Sequence, residues 1–146
     1  MSKSSAYSVD LLEAELNATA IANLLDNASA SPATTLTLAL HTADPSAGDQ
    51  TTSEVSYTGY TRVTVARTSG GWTVTSTVGG AQAVNAATIA FPASTGGADV
   101  DVTHISVGTG VSDNLMRSGA LSSPITIVNG NPAPEVAAGA LVLTET

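Results

Sequence analysis

The sequence predicts a mainly β protein: a single antiparallel β-sandwich or jelly-roll-like domain of about eight strands, preceded by an N-terminal α-helix. Three observations predict it. From Pro32 onward, apolar residues alternate with polar ones at period two, the spacing that sends every second side chain to the same face of a strand. Turn signals rich in Gly, Asn and Pro interrupt that alternation at short intervals. Before Pro32 the apolar spacing is helical instead. A chain of 146 residues suits one domain and can bury a core without the help of a metal or a disulfide.

The helix comes first. Ser8 is placed to cap it and Asp10 to meet its dipole in the first turn. Val9, Leu12, Leu16, Ala20 and Leu24 then recur at helical spacing, with Ile21 and Leu25 widening the stripe, and Asp26-Asn27 with Ser31-Pro32 ends it. Residues 1–31 therefore read as a helical arm and residues 32–146 as the β-sandwich domain. The apolar side of the arm needs a cover, either the chain's own strands or a neighbouring subunit.

The strands follow in order. Leu36, Leu38 and Leu40 alternate with Thr37, Ala39 and His41, and Val63 and Val65 with Arg62 and Thr64. Trp72, Val74 and Val78 share a face opposite Thr73, Thr75 and Thr77, which makes Trp72 a core anchor. Ile89 pairs with Phe91, Ile105 and Val107 oppose His104 and Ser106, and Ile125 and Ile127 form another inward pair. The run from Val136 to Leu143 is apolar on both faces and is expected to be buried on both. Turns fall at Asp44-Pro45, Ser69-Gly70-Gly71, Gly79-Gly80, Gly96-Gly97, Gly108 to Gly110 and Asn129-Gly130-Asn131-Pro132. The polar stretch from Asp44 to Ser53 reads as a mobile loop.

Charge removes several functional classes. Four basic residues (Lys3, Arg62, Arg67 and Arg117) stand against twelve acidic ones, for a net charge of −8. Nucleic-acid binding needs clustered cations to displace counterions from phosphates, and an anionic membrane surface needs them too, so neither is an expected partner. Without Cys there is no disulfide, as suits a reducing compartment. Met1 to Ser8 lacks the apolar core of a secretory signal, and no apolar run approaches the ~18 residues of a membrane helix, so a soluble protein is expected. Only 11% of residues are charged, against ~25% in ordinary soluble domains. A surface made polar by Thr and Ser avoids the cost of desolvating ions, which suits contact with other protein.

Candidates for chemistry are few. His41 could act as a base or ligand with Asp44 beside it, but at a strand end it reads better as a residue that bonds Asp44 or backbone and pins the turn. His104 could join Asp99 and Asp101 around a cation, although Asp-Val-Asp before a strand is ordinary loop chemistry and a subunit-interface hydrogen bond suits it better. Among Glu54, Asp99, Asp101 and Asp113 no spacing singles out a glycosidase pair, and the aromatic set of Tyr57, Tyr60, Trp72 and Phe91 is thin for a sugar platform. The glycines sit in turns, with no P-loop lysine after them. The sequence thus predicts no enzyme, no cofactor and no metal.

At Leu38-Ala39-Leu40-His41-Thr42-Ala43-Asp44-Pro45 a resemblance enters. With Glu54-Val55-Ser56, Gly59-Tyr60-Thr61-Arg62, Phe91-Pro92, Val102-Thr103-His104, Gly119-Ala120-Leu121 and Ala137-Ala138-Gly139-Ala140-Leu141, the chain resembles, in order, a family of small bacteriophage virion proteins variously labelled tail fibre or head decoration proteins. The resemblance implies a structural role in the virion, assembled in the host cytoplasm. Because a compact, acidic, hydroxyl-rich globule without fibre-like repeats suits a clamp on a shell, the expected role is a capsid decoration (cement) protein. It would be a homo-oligomer, with a trimer favoured, bound to the major capsid protein or other virion proteins. The alternative is a tail fibre or tail-associated protein that contacts the host surface. Val9, Leu12, Leu16, Leu24, His41 and His104 are the expected interface residues, with the arm from Met1 to Asn27 as anchor.

Overall fold

The computed structural model describes residues 4–20, 33–110 and 113–146. Among them are one helix, α1 (Ser5–Leu16), and nine strands: β1 (Thr35–His41), β2 (Val63–Ala66), β3 (Trp72–Thr77), β4 (Gly80–Asn85), β5 (Ile89–Ala90), β6 (Val100–Gly108), β7 (Leu115–Ile127), β8 (Glu135–Val136) and β9 (Val142–Glu145). The class is the one predicted, mainly β and antiparallel with an N-terminal helix. The strands form sheets in the order β2-β1-β6-β7 and β3-β4-β9, with β5 and β8 as a two-stranded ribbon. The chain divides into two compact units, the first drawn from Met1–Thr34, Ala66–Ile89 and Val136–Thr146 and the second from Thr35–Val65 and Ala90–Glu135.

In the first unit α1 packs on β3, β4 and β9. Its own chain therefore supplies the cover that the apolar stripe demands. Ser8, Leu12 and Leu16, four apart and so on one face, are fully buried, whereas Val9 is half-buried and Ala20 exposed. The helix starts earlier than predicted: Ser4 is the N-cap, its Oγ accepting from Tyr7 N at 3.2 Å, and Ser8 lies inside. Asp10 is thereby displaced from the first turn. The helix stops at Leu16, although the apolar spacing runs on. Asn17 N and Thr19 N both donate to Glu13 O, the Asn17 amide donates to the Glu13 carboxylate at 2.8 Å, and Ala18 turns the chain with φ 56°. Ile21, Leu24, Leu25 and the expected stop at 26–32 lie outside the described residues.

Opposite the helix, Trp72 (0% exposed), Ala81, Ala83 and Leu143 complete this core. β3 and β4 form a hairpin in register from Trp72↔Asn85 to Thr77↔Gly80. Its two-residue turn is Val78-Gly79, with Gly79 at φ 83°. Val78 is therefore not on the Trp72 face but fully in solvent, because the strand ends one residue before it. The Val136–Leu143 run is not a strand buried on both faces either. It is β8, an exposed turn over residues 137–140 with Gly139 at φ 76°, and the start of β9. Asn85 pins that turn: its amide donates to Ala87 O and Ala137 O, and its Oδ1 accepts from Leu141 N.

In the second unit β1 pairs with β6 from Thr37↔Gly108 to His41↔His104. β1 is buried on both faces from Leu36 to His41, as befits a strand inside its sheet. β7 is the sheet edge and is largely exposed: Ile127 is buried, but Ile125 is 41% exposed, so the two are not an inward pair.

Candidate functional site

The densest polar chemistry lies in the second unit, where β1, β6 and the segment 49–62 meet. Alternation along β1 sets Leu36, Leu38 and Leu40 on one face and Thr37, Ala39 and His41 on the other. His41 is 0% exposed, and its Nδ1 lies 2.9 Å from Thr52 O. A carbonyl only accepts, so Nδ1 carries the proton. Nε2 is then an acceptor, and the Ser106 hydroxyl donates to it from 2.7 Å away. Ser106 Oγ in turn accepts from Gln50 Nε2 at 3.2 Å, and the same amide donates to Thr37 O at 3.0 Å. A neutral imidazole fits both hydrogen bonds that His41 makes. Burial holds the His41 pKa below its ordinary 6.5, against the Thr52 carbonyl and the Glu54 charge, which favour the proton.

Gln50 makes the Asp44–Ser53 segment something other than a loose loop. Its side chain is buried, its backbone N donates to Asp113 O at 2.9 Å, and Pro45 is buried beside exposed neighbours. Around it Asp49 accepts from Thr51 N, and Thr42 N donates to Ser53 O. Gly108 stands where it does for space: a Cβ there would collide with the Gln50 side chain and Asn114 O.

A second, charged layer adjoins the first. Glu54 receives Arg62 in a fork, Nε to Oε1 and Nη2 to Oε2, both at 2.7 Å, and Arg62 Nη1 reaches Asp113 Oδ1 at 2.5 Å. Tyr60 donates its hydroxyl to Glu54 Oε1 at 2.9 Å and accepts from Leu40 N at 3.1 Å. Burial, and the carboxylate beside it, raise the Tyr60 pKa, and the Glu54 hydrogen bonds raise that of Arg62, so neither loses its proton near neutrality. Tyr57 packs edge-on to Tyr60, with centroids 5.2 Å apart, and donates to Pro92 O. An open groove of about 720 Å³ runs between Glu54–Thr58 and Tyr60–Arg62.

This arrangement can hold segments together, but it is poorly built for reaction. His41 and Ser106 have the spacing of a base and a nucleophile, yet Ser106 is 1% exposed and its proton is already committed. A substrate carbonyl has no path to its Oγ. The charged groups that border the groove are engaged with one another.

The predicted residues fall as follows. His41 does pin a turn, but through Thr52 and Ser106; Asp44 accepts instead from Ser46 N and from the Ser118 hydroxyl. His104 is half-buried, its Nδ1 2.8 Å from Thr103 Oγ1, while Asp101 accepts from Thr126. The described residues hold no cluster of three or more His, Cys, Asp or Glu suited to a metal, and no helix among them is long and apolar enough to cross a membrane. Leu12 and Leu16, expected at an interface, are buried in a helix that packs on β3 and β4 of its own chain. Sequence reasoning missed Gln50 and the bridging role of Arg62. The signal for Arg62 was present in Glu54-Val55-Ser56 and Gly59-Tyr60-Thr61-Arg62, whose side chains the structure joins.

The chain is mainly β, and its His41–Ser106 pair is sealed inside. The comparisons give the family. Residues 13–144 match the model of the podophage GP4 fiber I protein gp80 family, and the chain belongs to that family of bacteriophage structural fibre proteins. No curated protein matches the chain.

Proposed function

We propose that this protein is a non-catalytic structural subunit of a podophage fibre, carried on the virion and assembled with other copies of itself or with other virion proteins. The family match over residues 13–144 carries the reading. The sealed His41–Ser106 pair and the mutually engaged charges of Glu54, Arg62 and Asp113 support it, since they spend the chain's reactive groups on cohesion. A capsid decoration role, suggested by compactness and the lack of repeats, has less support, because the matched family is one of fibres. Gold-labelled antibody against the purified protein, imaged on intact virions, tests the assignment. Label is expected on the fibres; label confined to the head shell would return the decoration reading.

A further inference from the structure

The segment from Asp44 to Ser53 is mostly exposed, yet it is fastened at three points. At one end Asp44 Oδ1 accepts from the Ser118 hydroxyl at 3.2 Å. At the other, Thr52 O accepts from His41 Nδ1. Between them Gln50 runs its side chain into the interior like a plug. Its Nε2 donates to Thr37 O and Ser106 Oγ, and its backbone N donates to Asp113 O. His41 therefore holds the segment twice, directly at Thr52 and through Ser106 at Gln50.

With His41 neutral, each donor in this chain of bonds has an acceptor, and Gln50 Oε1 is the buried acceptor left without a partner. A proton on Nε2 reverses one bond. Nε2 becomes a donor aimed at Ser106 Oγ, which loses the acceptor for its own hydrogen while Gln50 still donates to it. Turning the Gln50 amide over gives no relief, because Oε1 would then face Thr37 O, another acceptor. A buried donor without an acceptor and a buried cation both cost free energy. Drawing Gln50 out admits water to both and gives Oε1 the partner it lacks.

We propose that Gln50 is the plug of an acid-sensitive latch: a proton on His41 withdraws it and frees Ser46–Thr51, while Asp44 and Thr52 keep their hold and the strands beneath stay paired. The two holds outlast the plug for separate reasons. Protonation strengthens the bond from Nδ1 to Thr52 O, since a cation is the better donor. Asp44 stays ionised, because the Ser46 hydrogen bonds hold its carboxyl below the ordinary 3.8, and those of Thr51 do the same for Asp49. Three charged or titratable groups face His41. Glu54 favours its proton; Arg62 and His104, the latter directly opposite in the β1–β6 register, oppose it. Local opening of this kind needs only the loss of a few bonds in a segment that is already solvated.

Hydrogen exchange of the full-length chain, resolved by residue and corrected for the chemical pH dependence, tests the latch at the Gln50 amide. A proton taken up at the ordinary 6.5 by the open form alone raises opening by up to about thirtyfold between about pH 7.5 and about pH 5. A rise of at least about fivefold is expected at Gln50, with the β1–β6 ladder unchanged. His41→Asn should abolish the response. Ser106→Ala should do the same, since it keeps the imidazole and cuts its link to Gln50, and it serves if the first variant does not fold. Gln50→Ala should open the segment at both pH values, and His104→Gln should leave the response in place. Circular dichroism checks that each variant is folded. Exchange at Gln50 that ignores pH, a response that survives Ser106→Ala or vanishes with His104→Gln, or equal opening of the β1–β6 ladder would overturn the latch.

Discussion

The two units of the chain hold their pieces together by different means. In the first, an amphipathic helix lies on a three-stranded sheet, and the contact is made by Leu12, Leu16, Trp72, Ala81, Ala83 and Leu143. In the second, β1 and β6 also bury aliphatic side chains, but the long connections around them are fastened by His41, Gln50, Ser106, Glu54, Tyr60, Arg62 and Asp113. Apolar contact is non-directional and tolerates sliding, whereas a chain of hydrogen bonds specifies one geometry and fails if any member is lost. The first unit should therefore respond to volume and the second to chemistry.

The largest effect should come from volume. Trp72→Ala removes the anchor beneath α1 and leaves a cavity, at a cost of about 3–5 kcal/mol. Urea denaturation followed by far-UV circular dichroism measures it. A loss under about 1 kcal/mol would mean that the helix does not depend on that core.

Next comes the charged layer. Arg62→Ala strips Glu54, whose side chain is only 16% exposed, of both its guanidinium bonds. A cost of about 2–3 kcal/mol is expected, below that of a fully buried pair because Arg62 and Asp113 keep some contact with water. Arg62→Lys should recover less than half of it, since an ammonium cannot make the fork. Full recovery by Lys would show that charge alone matters there.

His41 supplies a pH dependence with a fixed sign. The folded chain holds the imidazole neutral with a lowered pKa, while the unfolded chain takes up a proton at the ordinary 6.5. The unfolded state therefore binds more protons as pH falls below about 6.5, and stability drops from there toward the lowered folded value, below which this group adds no further slope. Glu54, Arg62 and His104 are the charged or titratable groups that bear on it. His41→Asn should cost about 2 kcal/mol at neutral pH through the broken network and should flatten the slope below 6.5. An unchanged slope would assign the acid sensitivity to other groups.

Much of this contrast was written in the sequence, unevenly. The strands around Leu36–Leu40, Trp72–Val74 and Ile105–Val107 were legible because alternation at period two is a local property, and burial of Trp72 follows from it. The end of α1 was not. Ala20 and Leu24 continue the apolar spacing, and only the Glu13 bonds to Asn17 and Thr19 and the left-handed Ala18 stop the helix. The polar layer was the least legible part. Arg62 meets Asp113 across 51 positions and His41 meets Ser106 across 65, and no periodicity reports a pairing at that range. Gln50 looked like one more polar residue in a polar loop, and only its amide on Thr37 O and Ser106 Oγ shows that it belongs to the interior.

The smallest effect examines the exception to the rule, a cation in the apolar unit. Arg67 donates to Glu15 O at 2.6 Å, to Ala14 O, and to Ala33 O at 3.4 Å, which places its guanidinium over the last turn of α1. Ala14 and Glu15 lie in the last turn of the helix, whose carbonyls carry the negative end of its dipole, so a cation there both bonds and neutralises. Arg67→Ala should cost about 1 kcal/mol, well below the Trp72 change in the same unit. Arg67→Lys separates the two contributions: it keeps the charge at the helix end and loses the fork, so it should recover part of the loss, and that part should shrink as salt rises. If Arg67→Ala instead matched Trp72→Ala, the first unit would depend on polar fastening as heavily as the second, and the division between them would fail.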